Sequence, residues 1–386
     1  MVKEKDIVEK AALSDGGHII SGAESIFEAP DPMKVRFDLN ENLFGPSPRV
    51  RAAIKDFVEN VGVNWYNAWM RKECAAKIAE YVGVKTENVF VCNGSAETLV
   101  VIAEIFLEQG DELLTVYPTY RVLLNYAKVY GSHVVKVLHE SDFRADRLPE
   151  KIIGKIGPKT KIIYMCNPDT FADRIPKEEI VKVLEKSQDP PKPIVVIDEA
   201  YYDSATYPFS NETVADLVEK YDNLIVTRTF SKSFALAGLR IGYAVSCKDK
   251  ITAFNKFFSP LGVSSIAYVA AMAALDSLDY YEEVRKKIEE NKAYLSEELT
   301  QMGIEVFPSY TNFIIARLPP GLLNDTPGKK GVWTRLVEKG VRVRNKSVMY
   351  PDTDICHDMI RITIGRKEQC ERLIKELKNI LKHALK

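Results

Sequence analysis

The chain has 386 residues, 46% hydrophobic and 28% charged, with 53 lysines and arginines against 54 aspartates and glutamates. That length splits into two domains by default, and a net charge of −1 argues against nucleic acid or an anionic membrane as the main partner. No apolar run approaches the ~20 residues that span a bilayer. The opening "MVKEKDIVEK" lacks the apolar core of a signal peptide. Cys74, Cys92, Cys166, Cys247, Cys356 and Cys370 are scattered without a Cys-x-x-Cys pair and read as free thiols. The five histidines are dispersed, so no metal site is visible. The expectation is a cytoplasmic enzyme without a metal.

In chain order, short apolar or β-branched runs recur at Val89–Cys92, Leu113–Val116, His133–Val137, Lys161–Met165, Pro193–Asp198, Asn223–Thr227 and Gly242–Ser246. Stretches of helical periodicity, such as Glu97–Glu108 and Pro176–Lys186, separate most of them. Apolar strands alternating with helices predict an α/β sheet covered on both faces. After Ser264 the pattern turns helical and stops at Gly303. "TNFIIARL", "VRVRN" and "MIRITIG" then read as a smaller sheet. Leu373, Ile374, Leu377, Ile380, Leu381 and Leu385 line one face of a C-terminal amphipathic helix, with a solvated lysine stripe opposite. The expected boundary lies near residue 270, giving a large domain over 61–270. Residues 1–60 and 271–386 make the small one.

Polar chemistry concentrates where four of these strands end, which is where α/β sheets bind ligands. In "VFVCNGSAETL" the chain turns through Asn93, Gly94 and Ser95 into a helix whose free amides favour phosphate. Alone, the same stretch is an ordinary helix start with Ser95 as its cap. In "YMCNPDT" Asn167 stands before Pro168, which alone is a common turn. In "VVIDEAYYD" Asp198 and Glu199 close a strand and Tyr201 follows. Asp198 there suits a metal, a ribose, a protonated ring nitrogen or a plain helix cap. In "TFSKSFALAGLRIGY" Ser231, Lys232 and Arg240 follow a strand. The apolar flanks imply a desolvated Lys232, whose neutral amine is a nucleophile able to form a Schiff base. A phosphate cradle, an Asn, a Tyr, a carboxylate and such a lysine make the set that pyridoxal phosphate requires. The lysine holds its aldehyde, and the aspartate keeps its ring nitrogen protonated as an electron sink.

On these residues the chain resembles the fold type I pyridoxal-phosphate enzymes of aminotransferase class I/II, closest to the histidinol-phosphate aminotransferase branch. The likeness also runs through "FDLNENLFGPSP", "YPTY", "PSYTNFIIARL", "GVRVRN" and "MIRITIG". It implies a large domain with a mostly parallel seven-stranded sheet between helices, plus a smaller α+β domain. It implies Lys232, Asp198 and Tyr201 as catalytic. Ser95, Ala96, Ser231 and Arg240 would hold the phosphate, Asn167 and Tyr201 the ring's 3-oxygen, and Tyr120 would stack on the ring. Tyr66 would reach the neighbouring subunit's phosphate in a homodimer, and Arg344 and Arg361 would bind substrate anions. The implied reaction moves an amino group from histidinol phosphate or an aromatic amino acid to a 2-oxo acid such as 2-oxoglutarate. A decarboxylase similar to threonine-phosphate decarboxylase is the alternative, with "DGGHII" a loose echo of that branch's opening. A non-catalytic binding protein is disfavoured by the presence of Lys232.

Three departures fall on loops expected to face substrate. Leu43 follows "NEN" where a proline is usual, and Trp65 and Trp69 occupy a commonly Pro-rich turn. The family's N-P-N-N-P-T-G is here Asn167-Pro168-Asp169-Thr170-Phe171-Ala172-Asp173. Asp173 is expected to keep the turn by taking the glycine's positive φ, and Phe171 to stand near the substrate entrance.

Overall fold

The computed structural model describes residues 31, 33–204 and 212–384; "DGGHII" and Leu385 lie outside them. It forms two compact units. The larger holds Gly45–Asp203 and residues 212–281, and the smaller holds residues 33–44 and 282–384. The chain leaves the larger unit between Tyr281 and Glu282, inside the helix Leu278–Gln301 and later than residue 270. Residues 45–60 belong with the larger unit, not the smaller.

Strand β1 (Val35–Phe37) belongs to the smaller unit. The larger unit is built on β2 (Val89–Cys92), β3 (Glu112–Tyr117), β4 (His133–Leu138), β5 (Thr160–Cys166), β6 (Ile194–Asp198), β7 (Leu224–Thr229) and β8 (Gly242–Ser246). Every apolar run singled out above is therefore a strand. Their order is β2-β8-β7-β6-β5-β3-β4. Pairings from β4 through β7 are parallel, and β8 runs antiparallel to both neighbours. Ile162–Met165, Val195–Ile197 and Leu224–Val226 are completely buried, because helices cover both faces of a parallel sheet.

This topology positions the site. Since β8 is antiparallel to β2 and to β7, the carboxyl ends of β2, β5, β6 and β7 and the start of β8 share one edge. The register sets Cys166 beside Asp198 and Asp198 beside Thr227. It sets Gly242 between Cys92 and Thr229.

In the smaller unit β9 (Glu305–Val306), β10 (Phe313–Arg317), β11 (Val341–Asn345) and β12 (Met359–Thr363) join β1 in the order β1-β11-β12-β10-β9. The C-terminal helix Lys367–Ala384 buries Leu373, Ile374, Leu377, Ile380 and Leu381. Among the described residues no helix is long and apolar enough to cross a membrane.

Candidate active site

The anion cradle is made by close backbone approach. Helix α1 (Ser95–Phe106) starts directly after the β2 turn, and its N-cap is Gly94, with φ of 82°. No side chain caps it. Ser95 is thus the first helical residue and not the cap; the Glu97 amide donates to the Gly94 carbonyl at 3.1 Å, and the Ser95 and Ala96 amides before it suit an anion. A Cβ on Gly94 would come within 2.7 Å of Arg240 Nη2, so the glycine lets the guanidinium lie against the turn. Arg240 itself adopts φ of 53°, a conformation rare outside glycine. Its Nη1 donates to Ser231 Oγ at 3.2 Å and to the Ala237 carbonyl at 2.9 Å. Thr229 Oγ1 donates to Ser231 Oγ at 3.0 Å. Ser95, Ser231 and Arg240 therefore converge at one corner of the sheet, with Ala96 next along α1.

Asp198 ends β6 with 3% of its surface exposed. Its Oδ1 accepts from Thr227 Oγ1 at 3.0 Å and from the Ala200 amide at 3.2 Å, and its Oδ2 accepts from Tyr164 Oη at 3.0 Å. Burial raises its pKa to about 6, against the lowering by those donors. Glu199 turns the other way and pairs with the buried Arg228 at 2.8 Å. Thr213 Oγ1 and the Val214 amide donate to Glu199 as well. The two adjacent carboxylates thus have separate partners: Glu199 a cation, Asp198 only neutral donors.

Lys232 is half-buried between the core residues Phe230 and Phe234. Its Nζ lies 5.8 Å from the centre of the Tyr201 ring. Ser233 Oγ donates to the Asp203 carbonyl, tying the lysine loop to the segment after β6. Tyr120 keeps 38% of its surface exposed. Burial of its hydroxyl end, with Asp198 and Tyr201 near, raises its phenol pKa.

Asn167 is clamped at both ends of its amide. Its Nδ2 donates to the Ile175 carbonyl at 3.1 Å, and its Oδ1 accepts from the Ile175 amide at 2.8 Å. One Nδ2 hydrogen is left for another acceptor. The turn that follows corrects two expectations. Positive φ falls on Ala172, at 70°, not on Asp173, whose carboxylate instead accepts from the Ala145 amide at 2.9 Å. Phe171 is 1% exposed, stacked on Phe143 with centroids 4.1 Å apart, so it is a core residue and not an entrance aromatic. Asp169 Oδ1 accepts from the Phe171 and Asp173 amides, while its Oδ2 faces His139 Nε2 at 3.2 Å. The altered loop is built on Asp169 Oδ1, while Asp169 Oδ2 and His139 Nε2 face each other without completing a hydrogen bond.

In the smaller unit Arg344 and Arg361 are register partners on antiparallel β11 and β12, so both side chains leave the same face. Arg344 is buried and Arg361 half-buried. Arg361 Nη2 donates to the Asp38 carbonyl at 2.8 Å. Tyr66, in the larger unit, is 86% exposed.

The sequence profile described as aminotransferase class I and II matches residues 32–377. The chain is 34% identical over 348 residues to histidinol-phosphate aminotransferase 2 of Carboxydothermus hydrogenoformans, covering 89% of this chain and 90% of that protein. The chain belongs to the class I and II aminotransferases. A histidinol-phosphate aminotransferase from Sinorhizobium meliloti, solved in complex with pyridoxal-5'-phosphate, superposes on this aminotransferase with a TM-score of 0.80 at 26% identity, over 91% of each chain. An L-threonine-O-3-phosphate decarboxylase from Porphyromonas gingivalis shares the fold, with a TM-score of 0.74 at 23% identity over 90% of this chain and 99% of that one.

This enzyme is a pyridoxal-phosphate-dependent aminotransferase. The residues present fit that cofactor on their own chemistry. The α1 amides and Arg240 suit a phosphate, the enclosed Asp198 carboxylate suits a protonated ring nitrogen, and the half-buried Lys232 amine suits an aldehyde. Tyr164, Thr227 and Arg228 escaped the sequence reading. Each lies inside a strand, where a polar side chain reads as an ordinary sheet residue. Their signal is tertiary: the register pairs Thr227 with Asp198, sets Tyr164 two residues from Asp198's β5 partner Cys166, and carries Arg228, the next residue of β7, to Glu199.

Proposed function

We propose that this aminotransferase moves an amino group from histidinol phosphate, or an aromatic amino acid of similar shape, to a 2-oxo acid such as 2-oxoglutarate, in the cytoplasm. The carrying observation is the Arg344–Arg361 register pair. Like charges set directly opposite on a sheet repel, and an anionic substrate group on that face relieves the repulsion. The histidinol-phosphate aminotransferases among its relatives support the choice of amino donor.

Pyridoxal phosphate, when bound, supplies the electron sink that makes the substrate's Cα–H acidic. The chain's residues do the rest. Lys232 Nζ would hold the cofactor's aldehyde and would take the substrate's Cα proton. Asp198 would keep the ring nitrogen protonated. Asn167 and Tyr201 would donate to the ring's 3-oxygen, and Tyr120 would cover the ring face. Ser95, Ala96, Ser231 and Arg240 bind the phosphate through amides, hydroxyls and the guanidinium.

The same reading includes a homodimer in which Tyr66 serves the partner's phosphate. It is supported by exposed Val63, Trp65, Tyr66, Trp69, Phe257 and Leu261 in the larger unit. Several of them line an open groove of about 220 Å³. A patch of that kind marks an interface.

A half-reaction panel read by the cofactor's absorbance tests the proposal. Histidinol phosphate or an aromatic amino acid converts the bound cofactor to its amine form, and 2-oxoglutarate restores it. Carbon dioxide released from threonine phosphate without a keto acid overturns the reading in favour of a decarboxylase. Borohydride trapping followed by peptide mapping places the pyridoxyl group on Lys232; any other site refutes the lysine assignment.

A further inference from the structure

Tyr164 has no role in the site drawn so far, yet it touches the group on which the cofactor's electronics depend. It is fully buried on β5, with Oη 3.0 Å from Asp198 Oδ2. Two residues on, along the same strand face, the Cys166 thiol donates to Tyr164 Oη at 3.3 Å. Thr119 Oγ1 lies 3.3 Å from Cys166 Sγ. Burial raises the Cys166 pKa to about 12, so the thiol keeps the proton it donates. With its oxygen accepting from the thiol, the phenol has one proton to give and Asp198 to receive it. Asp198 Oδ1 is already occupied by Thr227 and Ala200. Oδ2 therefore carries the phenol bond and the remaining acceptor capacity for a ring nitrogen.

We propose that Tyr164 is a positioning residue of the aminotransferase: its hydroxyl, oriented by Cys166, holds the Asp198 carboxylate ionised and aimed at the cofactor's ring nitrogen. The proposal rests on Asp198 as the partner of that nitrogen. A carboxylate that accepts another hydrogen bond is a weaker base. The proton it shares with the ring then stays on nitrogen, where it makes the ring an effective electron sink. Without the phenol the buried carboxylate, whose charge is already disfavoured by desolvation, draws that proton to itself.

Tyr164→Phe removes one oxygen and keeps the packed ring. The holoenzyme is reconstituted with pyridoxal phosphate labelled with ¹⁵N in the ring, and the nitrogen's NMR position is read beside kcat and KM. In Tyr164→Phe the signal moves from the protonated towards the unprotonated position. The kcat falls roughly tenfold and KM stays within about twofold, the loss expected for one hydrogen bond to a charged group. An unmoved signal overturns the proposal, whether or not kcat falls, because a packing defect alone leaves the ring's protonation as it was. Asp198→Asn is the reference. If the nitrogen signal in Asp198→Asn equals the parent's, the assignment of Asp198 itself fails, which is a different result from an unmoved signal in Tyr164→Phe alone.

Discussion

Gly242→Ala perturbs the phosphate corner through the backbone alone. Gly242 opens β8 and pairs with Cys92 on one side and Thr229 on the other. A Cβ there would lie 2.6 Å from the Ser95 amide nitrogen, 2.8 Å from the Arg228 carbonyl oxygen and 2.8 Å from the Gly94 carbonyl carbon. All three are main-chain atoms, so no side-chain rotation relieves the clash. Reaching an ordinary contact of ~3.5 Å needs a shift of roughly 0.9 Å in the turn or in β8. Overpacking of that kind costs about 1–3 kcal/mol. The turn before α1 is the softer side, because β7 and β8 are locked in a ladder, so the Ser95 amide moves out of the cradle. Losing a hydrogen bond to a charged group costs ~1.5–3 kcal/mol, so the dissociation constant for pyridoxal phosphate rises roughly 10- to 100-fold. Titration of the apoprotein with the cofactor, followed by absorbance, measures this, with thermal melting alongside. Gly238→Ala is the control: a Cβ there meets nothing within 4 Å, and its affinity stays within about twofold. The reasoning is refuted if Gly242→Ala binds and melts like the parent.

Three further outcomes follow from buried charge. Burial raises the Asp198 pKa from 3.8 to about 6. Between those values the folded apoprotein holds a proton that the unfolded chain has lost, so stability falls as pH rises through the window, by up to ~3 kcal/mol. Urea unfolding across that range shows the slope in the parent and a flatter one in Asp198→Asn; equal slopes would exclude this carboxylate as the source. Arg228→Met strands Glu199, the two side chains being 1% and 0% exposed, and costs ~3–5 kcal/mol. Adding Glu199→Gln recovers most of that loss in denaturant unfolding, unless the pair contributes only packing. His139→Leu replaces the imidazole that faces the buried Asp169 Oδ2 at 3.2 Å without completing a hydrogen bond to it, leaves that oxygen with no polar neighbour, and costs about 1–3 kcal/mol. Asp169→Asn in the same chain restores stability, and a double variant no better than His139→Leu would show that the two residues are not coupled.

The strands were legible because continuous apolar runs bury both faces of a parallel sheet, and that pattern is local. The motif residues were legible for the same reason: Asn93–Ser95, Asn167, Asp198 and Ser231–Arg240 all sit where an apolar run stops. Ser95 was ambiguous between cap and first helical residue, since both readings share one string of letters. The structure separates them through Gly94, whose positive φ and contact with Arg240 belong to a turn meeting a distant strand. Phe171 and Asp173 were misread because their neighbours, Phe143 and Ala145, come from another loop of the chain. The unit boundary was misplaced because the helix Leu278–Gln301 keeps one helical pattern on both sides of the crossing.

By itself, then, the sequence determined the strand content and the α/β sheet covered on both faces, which depend on residue type and local period. Only the tertiary structure decided which side chains stand behind the strand-end residues. Tyr164 reaches Asp198, Arg228 takes Glu199, and His139 faces Asp169 through strand register and loop packing. Those contacts join residues tens of positions apart, and no local pattern encodes them.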